Sequence, residues 1–170
     1  MNLAICESLS GRLRGSVLYD GLHNLGAALR TSVARPGTLH IVGPDEATPW
    51  HLSAHLDMLA RYRNVPELAP TAPHTPLSQA TDGDVVLVVS ERQTDDLLLG
   101  QLDDARRRGG VIVGLTGAED AHLGALAVEM LTVADDAGRL IPGIHLDFEM
   151  TTHLFGVAAV TTRRRRWWSR

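Results

Sequence analysis

Two pairs of histidines lie at helical spacing in this sequence. His51 and His55 are separated by four residues, and His145 and His153 by eight, with Glu149 midway between the second pair. Residues four apart share one face of a helix, so each pair can point toward a common ion. Zinc takes four N, S or O ligands, and two helices that each supply two histidines complete such a set. The predicted metal ligands are His51, His55, His145 and His153.

The identity and role of the metal stay open at this point. Imidazole and carboxylate also suit iron(II), manganese, nickel and cobalt, so zinc is the first of several candidates. A catalytic zinc keeps one position for water or substrate, whereas four protein ligands close a structural site. Histidines on an ordinary helix surface are the alternative to any metal site. Glu149 is either a ligand or general base, or a solvated carboxylate. The remaining histidines have no paired spacing and receive no role: His23, His40, His74 and His122.

Alternating strands and helices would position these histidines. Apolar runs predict buried strands at residues 39–42, 84–90, 111–117 and 129–134. Helical patterns cover residues 49–63, 94–110, 122–127 and 143–162. Residues 1–34 also read as helical, with glycines that predict a kink or two helices. This alternation is typical of an α/β fold whose parallel sheet is covered by helices on both faces.

Composition narrows the class of protein. The 170 residues, 44% of them hydrophobic and 21% charged, fit a single domain over residues 1–170. No apolar run reaches the roughly 18 residues that a membrane span needs, so no membrane partner is expected. The lone Cys6 allows no internal disulfide, which predicts a cytoplasmic protein. The chain has no lysine, so Schiff-base catalysis by a lysine is excluded.

The stretch DGDVVLVVSERQTDDLLLGQLDDARRRGGVIVGLTG, residues 82–117, resembles the strand, phosphate loop, helix and strand of a sugar isomerase (SIS) domain. Over about residues 10–160 the chain looks most like the phosphoheptose isomerases, which share the N-terminal helical region and the long terminal helix. The resemblance implies a three-layer α/β/α sandwich of flavodoxin-like topology, with about five parallel strands. It also implies a homo-oligomer, a dimer or tetramer, that acts on a sugar or sugar phosphate.

The histidines add to this resemblance. In phosphoheptose isomerases one helix gives a metal a His and, four residues later, a Glu, and another gives a Gln and, eight later, a His. His51 and His153 match that pattern, while His55 and His145 replace the Glu and the Gln. The resemblance implies an aldose–ketose isomerase that moves a proton through an enediol. The residues implied in catalysis are Glu149, His55 and His153.

The loops after the first two strands depart further from the family. The resemblance implies that the anionic end of the substrate is held by Ser90, Arg92, Thr94 and Thr116. Arg92 stands where the family has a serine, and Glu91 replaces a small residue. In the first loop, GPDEATPW, Asp45 and Glu46 bring negative charge near the anion, unless they cap the next helix. These departures leave two alternatives open: a non-catalytic SIS-type module that senses a ligand or metal, and other metal-dependent chemistry on an unphosphorylated substrate.

A basic tail, RRRRWWSR, ends the chain at residues 163–170. Arginine with tryptophan suits nucleic acid or an anionic membrane surface. A helix end that complements the macrodipole, or a subunit contact, explains the same composition. Because the whole chain carries a net charge of −4, nucleic acid is not expected as the main partner.

Overall fold

A parallel β-sheet between two layers of helices forms the centre of the protein. The computed structural model describes residue 8 and residues 11–34, 37–45, 47–70, 77–133 and 147–162. The strands in this part of the chain are β1 (Leu39–Val42), β2 (Val85–Ser90), β3 (Val111–Thr116) and β4 (Glu129–Thr132). The helices are α1 (Val17–Ser32), α2 (Ala47–Tyr62), α3 (Asp96–Arg107), α4 (Ala121–Leu126) and α5 (Phe148–Thr161). Short 3₁₀ turns lie at Pro66–Leu68 and Leu77–Gln79. The predicted α/β class is confirmed.

Successive residues of β2 divide the core into two halves, because side chains alternate between the faces of a strand. Val85, Leu87 and Val89 pack with the buried residues of α1, α2 and α5. Val86 and Val88 pack with those of α3 and α4. A strand buried on both faces reads as a continuous apolar run, which is the pattern of residues 85–89. The site's two helices, α2 and α5, therefore share one layer.

After β1 the chain changes the side on which it adds to the sheet, because it pairs first with one edge of β1 and then with the other. Among the described residues the sheet has four strands in the order β1-β2-β3-β4, all parallel, against about five expected. A fifth position is represented by a single parallel bridge between Leu39 and Pro70. Leu39 also pairs with Val85 of β2, so Pro70 lies on the other edge of β1. The chain thus pairs first on one side of β1 and then on the other.

The N-terminal helical region is broken near Gly15. Residues 11–13 are helical, Gly15 has φ +82°, and Ser16 caps α1 by accepting the N–H of Tyr19. A φ in this region favours glycine, which explains why the break occurs there. The predicted interruption of the helix is confirmed.

Several predicted features fall outside the described residues. These are His145, His74, Glu46 and the tail at residues 163–170. The last helix was expected from Gly143, and its described part, α5, begins at Phe148 after the N-cap Asp147. In the described ranges no helix is both long enough and apolar enough to cross a membrane.

Candidate functional site

A cavity between α2 and α5 gathers most of the predicted metal ligands. It measures about 300 Å³ and is called the histidine pocket here. Its lining consists of His51, Ala54, His55, Met58, Glu149 and His153. Each helix contributes two polar side chains four residues apart, as the sequence spacing predicts. The rings of His55 and His153 meet edge to face with centroids 4.5 Å apart. His51 Nδ1 lies 3.8 Å from Glu149 Oε1.

His55 is buried because α5 has a glycine opposite it. The residue is 6% exposed, and a Cβ at Gly156 would come within 2.7 Å of its Cδ2 atom. Burial, followed by the neighbouring His153, lowers the pKa of His55 to about 4. Burial is also the main reason that the pKa of His153 is lowered. Both rings are therefore neutral near pH 7, which is the form that binds a metal or accepts a proton.

Two ring nitrogens in this pocket lack hydrogen-bond partners. Among the described residues, the buried atoms His55 Nε2 and His153 Nδ1 have no hydrogen-bond partner. A buried polar group without a partner costs about 1–3 kcal/mol, so it calls for an explanation. A ligand or ion seated in the pocket would supply partners for both.

The side chains of the histidine pocket are of the types that bind metals, but their present positions do not form a metal site. Imidazole and carboxylate are good ligands for zinc and related ions. In the described ranges, however, no group of three or more His, Cys, Asp or Glu side chains is arranged to hold an ion. The His51 side chain is about half exposed and lies between the Trp50 ring, 5.3 Å away between centroids, and the Glu149 carboxylate. His145, the fourth predicted ligand, lies outside those ranges.

A second cavity of about 320 Å³ adjoins the histidine pocket and shares His51 and Glu149 with it. The first turns of α2 and α5 line it, together with Glu91 from the loop after β2. The polar residues of this middle cavity that sequence reasoning did not assign to a site are Thr48, Asp147 and Thr152. Asp147 caps α5 by accepting the N–H of Met150 at 2.7 Å. Its position three residues before Met150 was the available signal.

A third cavity of about 350 Å³ lies where the sheet order reverses. It is lined by Pro44 and Asp45 after β1, and by Glu91, Arg92 and Gln93 after β2. Ligands of open α/β sheets commonly bind at such a reversal, outside the carboxyl ends of the strands. Glu91 also lines the middle cavity, so the three cavities follow one another from His55 to Arg92. We call this series the groove.

Glycines hold the loop after β2 between its neighbours. A Cβ at Gly43 would collide with the carbonyl oxygen of Val89, and one at Gly117 with that of Glu91. The loops after β1, β2 and β3 are therefore packed backbone to backbone. This packing fixes Glu91 and Arg92 at the end of the groove.

The four predicted substrate-binding residues differ in their exposure. Arg92 lines the groove, whereas the other three are buried beneath the loop. Ser90 donates its hydroxyl to the carbonyl of Arg92, and Thr116 lies 3.3 Å from the Thr132 hydroxyl. Thr94 donates its N–H to Asp120 Oδ2 at 2.8 Å. Their predicted roles in binding stay predictions.

Comparison with known proteins adds two similarities to this geometry. No protein-family model matches the chain. Phosphoheptose isomerases of two Bradyrhizobium strains, BTAi1 and ORS 278, are each 39% identical to it, over 66 and 64 residues. These segments cover 39% and 38% of the chain, and 33% and 32% of the two isomerases. The match thus spans about a third of the length of these relatives.

Solved structures share the fold at low identity. A crystal structure of a hypothetical protein has a TM-score of 0.58 at 19% identity and covers 93% of this chain and 84% of its own. A putative sugar binding protein from Salmonella typhimurium LT2 has 0.56 at 16%, covering 91% and 46%. The Vibrio vulnificus NanR protein complexed with ManNAc-6P has 0.52 at 17%, covering 92% and 60%. The predicted resemblance to phosphoheptose isomerases is thereby confirmed in sequence for about two fifths of the chain. The solved structures share its fold over more than nine tenths of the chain.

Proposed function

We propose that the protein is a metal-dependent isomerase of a sugar or sugar phosphate, acting in the histidine pocket. One observation carries the proposal: the buried His55 ring and the partly buried His153 ring, both neutral near pH 7, lie edge to face beside Glu149 at one end of the groove. Neutral imidazole is the usual metal-binding form of histidine, and a carboxylate beside it supplies a base. The partial similarity to phosphoheptose isomerases supports the same reaction class.

The metal would be held by His51, His55 and His153, with His145 as a fourth ligand. Zinc is the first candidate, and iron, manganese, nickel or cobalt are the others. When bound, such an ion polarises a carbonyl and stabilises negative charge on the oxygens of an enediol. This assignment is supported by two buried ring nitrogens, His55 Nε2 and His153 Nδ1, which have no hydrogen-bond partner in the described part of the chain.

Glu149 is the proposed base. Its side chain is 66% exposed and borders both the histidine pocket and the middle cavity, so it can reach a substrate that lies across them. It would take a proton from the carbon next to the carbonyl and return it to the adjacent carbon. His55, at the position of the family's glutamate, is the alternative base. His153 would pass a proton to the carbonyl oxygen and accept one from the neighbouring hydroxyl, so that the two oxygens exchange their protons.

The far end of the substrate would lie near Arg92. A guanidinium forms two parallel hydrogen bonds with a carboxylate or phosphate, or fewer with a hydroxyl. Ser90, Thr94 and Thr116 would act mainly by holding the loop, given their burial beneath it.

Metal analysis combined with solvent exchange tests this proposal. We expect about one equivalent of metal in the wild-type protein, and its loss in His55→Ala and His153→Ala. His122→Ala, an exposed histidine in α4, is the matched control and should keep the metal. A substrate incubated in D₂O should gain deuterium beside the carbonyl with wild type, and at least 100-fold more slowly with Glu149→Gln. Equal exchange by wild type and Glu149→Gln would refute the assignment of the base.

A ligand-sensing module without catalysis is the second candidate. The replacement of the family's glutamate by His55 favours it, because four histidines around one ion would leave no place for substrate. This function predicts that a sugar raises the melting temperature of the protein, while the sugar itself incorporates no deuterium from D₂O. X-ray absorption would then count four nitrogen ligands.

A homo-oligomer is proposed from the outer face of α2. Trp50, Met58 and Tyr62 lie at helical spacing on this face and are 52%, 47% and 68% exposed. Met58 also lines the histidine pocket, so a second copy packed here would border the site. We expect light scattering to give a dimer or tetramer, and Tyr62→Glu to shift it toward the monomer. A monomeric wild type would contradict the proposal.

A further inference from the structure

Carboxylates occupy the helix N-termini that border the groove. In α2 the N–H of Thr48 donates to Asp45 Oδ1 at 2.9 Å, and in α5 the N–H of Met150 donates to Asp147 Oδ1 at 2.7 Å. The helix after the second loop, α3, is capped in the same way by Asp95. Helix N-termini attract phosphate through free N–H groups and the positive end of the dipole. Here those N–H groups and that field already serve the protein's own carboxylates.

The charge along the groove is predominantly negative. Among the described residues that line it, four carboxylates belong to Asp45, Glu91, Asp147 and Glu149. Within the same set Arg92 is the one guanidinium. A phosphate dianion beside Arg92 would face the carboxylates of Asp45 and Glu91, which line the same cavity as that one guanidinium. Carbohydrate hydroxyls, in contrast, donate hydrogen bonds to carboxylates, and such bonds are strong.

The groove is nevertheless built to hold a ligand. His55 is more than nine-tenths buried, and within the described ranges its Nε2 atom has no partner while the ring lines the histidine pocket. A polar substrate atom or an ion is the natural partner for that nitrogen. The negative charge therefore selects the kind of ligand.

We infer that the groove takes a carbohydrate without a phosphate ester, whose hydroxyl or amino groups donate to Glu91 and Asp147. The inference rests on the proposed function for the identity of the site, and narrows its substrate class to neutral or amino sugars. Glu91 is then a residue that determines specificity, because it borders both the middle cavity and the cavity at Arg92.

Matched pairs of sugars test the inference. The full-length protein would be titrated by calorimetry with five-, six- and seven-carbon sugars and with their terminal phosphates, and turnover of each would be followed by deuterium incorporation. We expect a dissociation constant at least tenfold lower for a free sugar than for its phosphate. Glu91→Gln should tighten binding of the phosphate about fivefold, since a unit charge several ångströms away contributes at that level. Asp104→Asn, which removes an exposed carboxylate of α3 away from the groove, should leave both constants unchanged.

The outcomes separate the two proposals. Tighter binding of the phosphate by wild type would overturn the inference, and its turnover would leave the isomerase proposal standing. Preference for the free sugar without any deuterium exchange would support the inference and count against catalysis. If no sugar of either kind binds, the inference fails. Binding of inorganic phosphate more tightly to wild type than to Arg92→Gln would confirm that failure, because it would show that the groove binds phosphate through Arg92.

Discussion

Two buried polar clusters lie at opposite ends of the sheet, and they differ in how fully their hydrogen bonds are satisfied. At the amino ends of the strands, Asp84 accepts four hydrogen bonds from the backbone and hydroxyls of Thr38 and Thr81, at 2.7–3.2 Å. At the other end, the histidine pair in the pocket has nitrogens without partners among the described residues. The first cluster joins β1 to β2, and the protein itself supplies the hydrogen bonds of its central carboxylate. In the second, a ligand or ion in the pocket would supply the missing partners.

His40 also belongs to the Asp84 cluster, and one of its ring nitrogens lacks a partner too, so the two clusters differ only in degree. Its Nε2 atom lies 3.1 Å from the Thr38 hydroxyl and 3.5 Å from Asp84 Oδ2. Because that hydroxyl donates to Asp84, the histidine donates to the hydroxyl. Its Nδ1 atom is buried and has no partner in the described ranges. The three cavities of the groove do not include this ring in their linings, so a ligand in the groove would not contact it.

The largest effect is expected from Asp84→Ala, which removes the acceptor of four hydrogen bonds. The part-buried hydrogen bonds from Thr38 and Thr81 to this carboxylate would be lost, and we expect a loss of about 3 kcal/mol in the free energy of unfolding. Urea denaturation measures it. Asp103→Ala, on the exposed face of α3 where Asp103 pairs with Arg107, should cost less than about 0.5 kcal/mol. A similar loss in both variants would show that Asp84 has no special structural role.

The pH dependence of stability distinguishes the two clusters next. The pKa of His55 is about 4 in the folded protein, against an ordinary value of 6.5, so below pH 6.5 the unfolded chain binds a proton that the folded chain does not. Stability should fall by about 2 kcal/mol as the pH drops from 6.5 to 4. His55→Leu should remove that slope in metal-free protein, as measured by denaturation at several pH values. An unchanged slope would contradict the lowered pKa.

Asp84 responds at lower pH. Burial alone would raise the pKa of this carboxyl, but its hydrogen bonds from Thr81 and Thr38 outweigh burial and lower it to about 2. Its contribution to stability is therefore present above pH 3.8 and is lost as the pH falls toward 2. When the free energy of unfolding of the wild type is measured against pH, it should fall in two separate ranges, one for each cluster. Asp84→Asn should remove the fall at lower pH.

The smallest effect is expected from Gly156→Ala. The new Cβ would press on the His55 ring, and overpacking of this kind costs about 1–2 kcal/mol. Gly100→Ala is the matched control, because no atom lies within 4 Å of its added Cβ, and alanine there should stabilise α3 by about 0.5–1 kcal/mol. Thermal denaturation compares the two. Stabilisation by both substitutions would mean that the ring moves away at no cost.

The sequence predicted the elements well where periodicity and burial agree. The β1 strand was expected at residues 39–42 and is found there, because a short apolar run between breakers favours an extended conformation. The parallel bridge at Pro70 was not predicted, because a proline-rich stretch gives no sign of strand pairing. Helical spacing likewise anticipated the common pocket of His51 and His55, and of Glu149 and His153.

The loops were harder to predict, because register decides which strand-end side chains face the groove. Ser90 and Thr116 are opposite each other in the sheet and fully buried, which their residue type does not reveal. Glu91 and Asp147 join the same cavity from elements more than 50 residues apart in the chain. No local pattern encodes that proximity, which depends on how α5 packs against α2.

The contact between Gly156 and the His55 ring ties two positions on different helices to each other. A residue with any side chain at 156 requires a smaller or differently shaped group at 55, and the flat imidazole requires hydrogen at 156. Among divergent copies of this chain, substitutions at the two positions should therefore arise together. A library that randomises both sites and selects for folded protein would reveal this coupling as paired survivors.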